Sequence, residues 1–155
     1  MIYKKSFIEI ADYSPSHLES IKEFRPEDSY AFRYLDNPRF SINNFLQQAN
    51  ISSTGLYKNK VLLLAAMSLL WPGVGEIWGL LDPIAVKYPL AVCKIANIWI
   101  SYAINTAKLH RVQCKVIMGF YQSHLWVTKF LGFETEALLK KYGPNQEDYV
   151  QYVRI

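Results

Sequence analysis

The chain has 155 residues, 51% hydrophobic, 15% aromatic and 19% charged, which suits one folded domain spanning 1–155 and excludes disordered and low-complexity classes. Its uncharged apolar stretch, Val61 to Gly75, is broken by Pro72 and Gly73 and falls short of the ~20 apolar residues of a spanning helix. The net charge of +4 is uneven: residues 38–133 carry only Glu76 and Asp82 against nine bases, a balance that suits an anionic ligand such as a nucleotide-like cofactor. Nucleic acid is the weaker option, because no arginine-rich run, zinc-finger spacing or aromatic RNA-binding signature is present.

The N-terminal Ile2–Ala11 alternates like a strand. It carries Glu9 where a signal peptide would need its apolar centre, so a mature, cytoplasmic protein is expected. Ser14-Pro15 opens a helix through about Phe24, and a second runs from about Glu27 to Asp36. Ser41 can cap a third over Ile42–Ala49. Ser52–Tyr57 and Val61–Leu70 flank the polar turn Lys58-Asn59-Lys60 and read as a hairpin. After Pro72-Gly73-Val74-Gly75, Glu76–Leu81 resumes as a fourth, antiparallel strand.

The long segment from about Pro89 to Lys108 repeats apolar residues at helical spacing. His110–Ile117 reads as a buried strand, Gln122–Phe130 as a helix stopped at Leu131-Gly132-Phe133, and Phe133–Tyr142 and Tyr149–Ile155 as a closing pair of strands. A strand, long helix, strand unit requires a right-handed crossover, so its two strands are parallel within a mixed sheet. Cys93 and Cys114 sit in apolar surroundings without metal-type spacing and read as reduced core thiols.

Three segments then stand out: Leu109-His110-Arg111-Val112-Gln113-Cys114-Lys115-Val116, Trp126-Val127-Thr128-Lys129-Phe130-Leu131-Gly132-Phe133-Glu134, and Glu136 to Pro144 followed by Glu147-Asp148-Tyr149-Val150. In this order and spacing the chain resembles the GNAT acyl-CoA N-acyltransferase superfamily over roughly residues 60–155. It is also similar to small phage-encoded GNAT-like proteins, some of them virion components. The resemblance implies a mixed, mostly antiparallel sheet of six or seven strands with helices on both faces, opening in a V between the fourth and fifth strands. It implies acetyl-CoA as cofactor, an amine acceptor, no metal, and a homodimer or phage-particle component among the partners. The alternative function is a catalytically silent GNAT-like structural or interaction protein.

The resemblance also implies roles for residues. Glu76, at the start of the fourth strand, is the candidate general base. Thr128 stands where many relatives have the tyrosine that protonates the leaving thiol, so Tyr121 and His124 are the candidate proton carriers, with His110 as a further histidine. Leu80 and Leu81 on the fourth strand, and Lys87, Tyr88, Leu90, Ala91, Val92 and Lys94 around the start of the long helix, are the candidate cofactor-binding residues. Leu90 and Val92 replace the small residues of the family's phosphate loop, and Pro89 has no N–H to offer. Lysine charge, from Lys87 above all, then has to replace part of the backbone cradle.

Overall fold

A computed structural model describes residues 1–155, and its sheet begins with a fold-back that the alternating N-terminus conceals. Ile2–Ala11 is not one strand but two, β1 (Tyr3–Lys5) and β2 (Ile8–Asp12). They reverse at Ser6 and Phe7, whose φ angles are 52° and 67°. Two successive left-handed residues make a tight hairpin matched to strand twist. Neither is Gly or Asn, so the turn leaves no signature in the sequence.

Proline at the first helical position opens α1 (Pro15–Ser20), α2 (Pro26–Ala31) and α3 (Pro38–Gln48). The first two are shorter than the sequence suggests. Helix α1 ends where Ile21 goes extended and is fully buried, and α2 ends where Phe32 turns toward Phe24 and Trp78. Helix α3 starts four residues before Ile42 because Asn37, not Ser41, is its cap: the Asn37 side chain accepts from the Phe40 N–H at 3.2 Å.

Strands β3 (Ile51–Tyr57), β4 (Lys60–Trp71) and β5 (Val74–Leu81) form an antiparallel meander. The β3–β4 turn is Lys58-Asn59, both at positive φ. The next turn is only Pro72-Gly73, so β5 begins two residues before Glu76. Gly73 has φ +87°, and a Cβ there would lie 2.2 Å from His110 Nδ1. Its carbonyl accepts the N–H groups of His110 and Arg111 at 2.8 and 3.2 Å. His110 thus has a structural place, where the chain returning from the long helix docks on this turn.

A 3-10 turn, Pro83–Lys87, leads into α4 (Pro89–Ala107). Val92, Ile95, Ala96, Trp99, Ile100 and Ala103 recur at 3–4 spacing and are all buried against the sheet. Burying one such side chain as fully as Ile95, 1% exposed, contributes roughly 1.5–3 kcal/mol. Gly55 on β3 makes the approach possible, since a Cβ there would stand 2.5 Å from Ile95 Cγ2. Lys108, at φ 53°, ends the helix.

The chain continues through β6 (Arg111–Ile117), α5 (Tyr121–Leu125), a π-helical turn Trp126–Phe130, β7 (Glu134–Leu139) and β8 (Tyr149–Arg154). The eight strands lie in the order β1-β2-β3-β4-β5-β6-β8-β7, and β5–β6 is the one parallel pair. The sheet is the mixed, mostly antiparallel one expected, with eight strands in place of six or seven because of the N-terminal hairpin. One apolar core lies between the sheet and α4, and a second, around Leu18, Ile21, Ile42 and Leu46, lies between the opposite face and α1 and α3. No helix is long and apolar enough to cross a membrane.

Candidate active site

The sheet divides at its parallel pair. Only Val74, Gly75 and Glu76 of β5 are in register with β6, opposite Arg111, Val112 and Gln113. Beyond Glu76 the two strands diverge, the V expected between the fourth and fifth predicted strands. Ile77–Leu81 thereby have no strand partner on the β6 side. A cavity of about 750 Å³ occupies the opening, with walls from both faces of the sheet. On the α4 face they include Trp99, Cys114 and Trp126; on the α1–α3 face, Asp28, Phe32, Phe45, Trp78 and Tyr142.

Strand alternation fixes which side chains share a face. Trp78 and Leu80 pack with α1 and α3, and Glu76 shares that face. Its carboxylate is held by β6: Gln113 Nε2 donates to Glu76 Oε1 at 3.0 Å, and Lys115 Nζ donates to the same oxygen. Oε2 is left without a protein partner. Gln113 is oriented from its other end, where its Oε1 accepts from Arg111 Nε at 3.1 Å. Arg111 in turn grips Glu136 through two nitrogens, and Gln151 Nε2 donates to Glu136 Oε1 at 2.7 Å. Because guanidinium only donates and carboxylate only accepts, the amide orientation of Gln113 is dictated by the network.

These contacts move the titrations. The hydrogen bonds from Arg111 and Gln151 bring Glu136 down to about 2. Burial works to lower the Lys115 ammonium, but the hydrogen bond and charge of Glu76 outweigh it and hold it above the usual lysine range. Burial pushes the Cys114 thiol up to about 12. Asp28 is raised by burial against its hydrogen bonds to Arg25, at 2.8 and 3.2 Å. Burial, then the charge of Glu147, raises Tyr149, which also walls the cavity.

The two candidate proton carriers lie off the cavity wall. Tyr121 begins α5 and is 71% exposed. His124 turns inward with both ring nitrogens engaged, Nδ1 with the Tyr152 hydroxyl at 2.5 Å and Nε2 with the Ile117 carbonyl at 2.9 Å. A carbonyl can only accept, so Nε2 carries a proton there. Thr128 Oγ1 donates to the His124 carbonyl at 2.9 Å, and the π-helical turn that follows sets Trp126 and Val127 on the wall. The indole N–H groups of Trp99 and Trp126 are buried with no hydrogen-bond partner, an arrangement that costs free energy unless a ligand acceptor meets them.

At the start of α4, Lys87, Pro89, Leu90 and Lys94 are exposed, Leu90 by 85%. Val92 is in the core at 5% exposure, and its N–H is bonded to the Tyr88 carbonyl. The Tyr88 ring packs at a tilt of 58° against Tyr57, and no side chain caps the helix. The first turn of a helix leaves its N–H groups unpaired. With Pro89 contributing none, the Leu90 and Ala91 amides are the backbone donors that remain. Leu80 and Leu81 are buried, and neither side chain walls the cavity; what their strand offers the cleft is its unpaired main-chain edge. No group of three or more His, Cys, Asp or Glu side chains is arranged to hold a metal ion.

No protein-family model matches the sequence, and no curated protein matches it. Solved structures do. The chain is similar to an acetyltransferase of the GNAT family from Bacillus anthracis, with TM-score 0.75 and 18% identity over 98% of this chain and 96% of that one. It is similar to Ard1 from Thermoplasma volcanium, with TM-score 0.77 and 14% identity over 97% and 98%. It is also similar to RimL, a ribosomal L7/L12 alpha-N-protein acetyltransferase in complex with coenzyme A, with TM-score 0.71 and 15% identity over 99% and 97%. The fold is that of the GNAT acetyltransferases.

Proposed function

We propose that the protein is an acyl-CoA-dependent N-acyltransferase that transfers an acetyl group to an amine. The observation that carries this reading is the split between β5 and β6, which ends at a carboxylate, Glu76, and opens onto a cavity reaching both faces of the sheet. The residues present fit the cofactor: unpaired donors on Trp99 and Trp126 face no protein acceptor, the β5 edge through Leu80 and Leu81 is free, and α4 begins uncapped. The Leu90 and Ala91 amides, with Lys87 and Lys94 as point charges, would hold the phosphates. Tyr88 and Val92 support that turn from below. A bound acyl-CoA supplies the activated acyl group.

The chain's own task is to bind the acceptor and take its proton. An amine is a nucleophile only after its ammonium loses one proton. In this reading that proton passes to Glu76 Oε2, while Gln113 and Lys115 hold Oε1. Attack on the acyl carbon then forms the amide bond and breaks the carbon–sulfur bond, with the remaining proton balanced by the departing thiol. The largely apolar walls leave less water beside the acyl group, where it would otherwise compete with the amine.

Titration with acetyl-CoA by calorimetry tests the reading, because cofactor binding needs no guess at the acceptor. Binding that is abolished by excess CoA supports it. Absence of binding at millimolar acetyl-CoA overturns it in favour of a catalytically silent GNAT-like structural protein.

A further inference from the structure

We propose that the acceptor is a small primary amine joined by a short link to a flat apolar ring, such as an arylalkylamine, and not the terminus of a protein chain. The inference rests on the acyltransferase reading for its chemistry but on separate features of the cavity for its selectivity.

The first feature is the aromatic wall. Phe32 and Phe45 both pack on Trp78, with centroids 6.0 and 5.3 Å apart and ring planes at 53° and 74°. All three line the cavity on the α1–α3 face. Rings in this edge-on arrangement present faces and edges together, which suits a further ring. Glu76 and Trp78 are two residues apart on one face of β5, so their backbone positions are about 6.6–6.8 Å apart. A two- or three-carbon link places an ammonium at Glu76 with its ring against Trp78.

The second feature is charge. The ionisable side chains on the cavity wall include the carboxylates of Glu27, Asp28 and Glu76 against the cations Arg25 and Lys115. In a chain of net charge +4, the cavity leans the other way and favours a cation. The third feature is a bridge along one side of the cavity. Arg33 Nη2 is 2.9 Å from Glu147 Oε1, joining the segment after α2 to the β7–β8 loop. Arg33 also lies over the Tyr30 ring at 3.6 Å, and Tyr30 packs on Phe120 at 5.8 Å. Ala31 and Tyr34 on one side of this bridge and Tyr142 to Pro144 on the other line the same cavity. An extended peptide leaving the cavity on this side would run into the bridge, whereas a small amine fits within a volume ordinary for small ligands.

The test measures binding and turnover separately. Four probes, 2-phenylethylamine, n-butylamine, spermidine and a hexapeptide with a free N-terminus, are titrated by calorimetry without cofactor and then assayed with acetyl-CoA. Phenylethylamine should bind about tenfold or more tightly than butylamine, as burial of a ring requires. In Phe45→Ala, which changes a 39% exposed side chain, that ratio should fall to within about twofold. Equal binding of the two amines, or preferred acetylation of spermidine or the hexapeptide, overturns the inference while leaving the acyltransferase reading intact. Selective phenylethylamine binding in a protein that does not bind acetyl-CoA overturns the acyltransferase reading and leaves the amine pocket standing.

Discussion

Gln113 donates its Nε2 to Glu76 at 3.0 Å across the last residue pair of the parallel ladder. The amide can do so only because Arg111 occupies its oxygen. Glu76 is thus positioned by β6 although it belongs to β5, at the point where the two strands part.

If Glu76 takes the acceptor's proton, Glu76→Gln should lower kcat about 10²-fold or more while acetyl-CoA affinity stays within twofold, since shape is kept and proton acceptance is lost. Steady-state kinetics with calorimetry on the same preparation checks this. Unchanged kcat removes Glu76 from the mechanism.

Phosphate binding by lysine side chains predicts a salt-sensitive cofactor. Acetyl-CoA affinity should fall between 50 and 300 mM salt (conditions chosen to span roughly the screening range) and fall again in Lys87→Ala, with a smaller loss in Lys94→Ala. Affinity indifferent to salt and to both substitutions would place the phosphates elsewhere.

The two substitutions that would restore small residues at the start of α4 should differ sharply. Leu90 is 85% exposed and Val92 is 5% exposed in the core. Leu90→Gly should cost roughly 1 kcal/mol, the helix propensity difference. Val92→Gly adds a core cavity and should cost about 2–4 kcal/mol. Urea unfolding of both variants measures the contrast, and equal losses would contradict the buried placement of Val92.

Glu136 ties stability to acid. Its folded pKa of about 2 lies below the ordinary value of 4.5, so its contribution is full above the unfolded value and is lost as pH falls from about 4.5 toward 2. Unfolding free energy should therefore decline through that window, and Glu136→Gln should flatten the decline. An unaltered slope in the variant would show that other carboxylates carry it.

The order of strands and helices was readable because α4 repeats its buried residues at helical spacing and the meander strands are separated by Lys58-Asn59 and Pro72-Gly73. The Ser6-Phe7 reversal was not, since it uses residues that give no turn signal. The site divides similarly. Glu76 stood out as a rare acid, but its partners depend on register across a parallel pair. One local signal was present: Gln113 and Lys115 are polar residues two apart in an apolar strand, hence on one face. Phe32, Phe45 and Asp28 reach the cavity from short helices far away in sequence, and no local period encodes that meeting. The resemblance gives Tyr121 and His124 only a position along a helix, which does not say which way a side chain turns.

The short parallel ladder makes the sheet a hinged object. Strands β1–β5 form one leaf and β6, β8 and β7 the other, joined at the ladder by the register pairs of Val74, Gly75 and Glu76. Main-chain amides of Ile77–Leu81 that point across the gap lack the ladder partner their neighbours have, so hydrogen exchange should run fast along that seam and slowly within each leaf. A ligand seated in the gap would act as a missing strand, and its arrival should be read as protection gained at the seam before any change elsewhere.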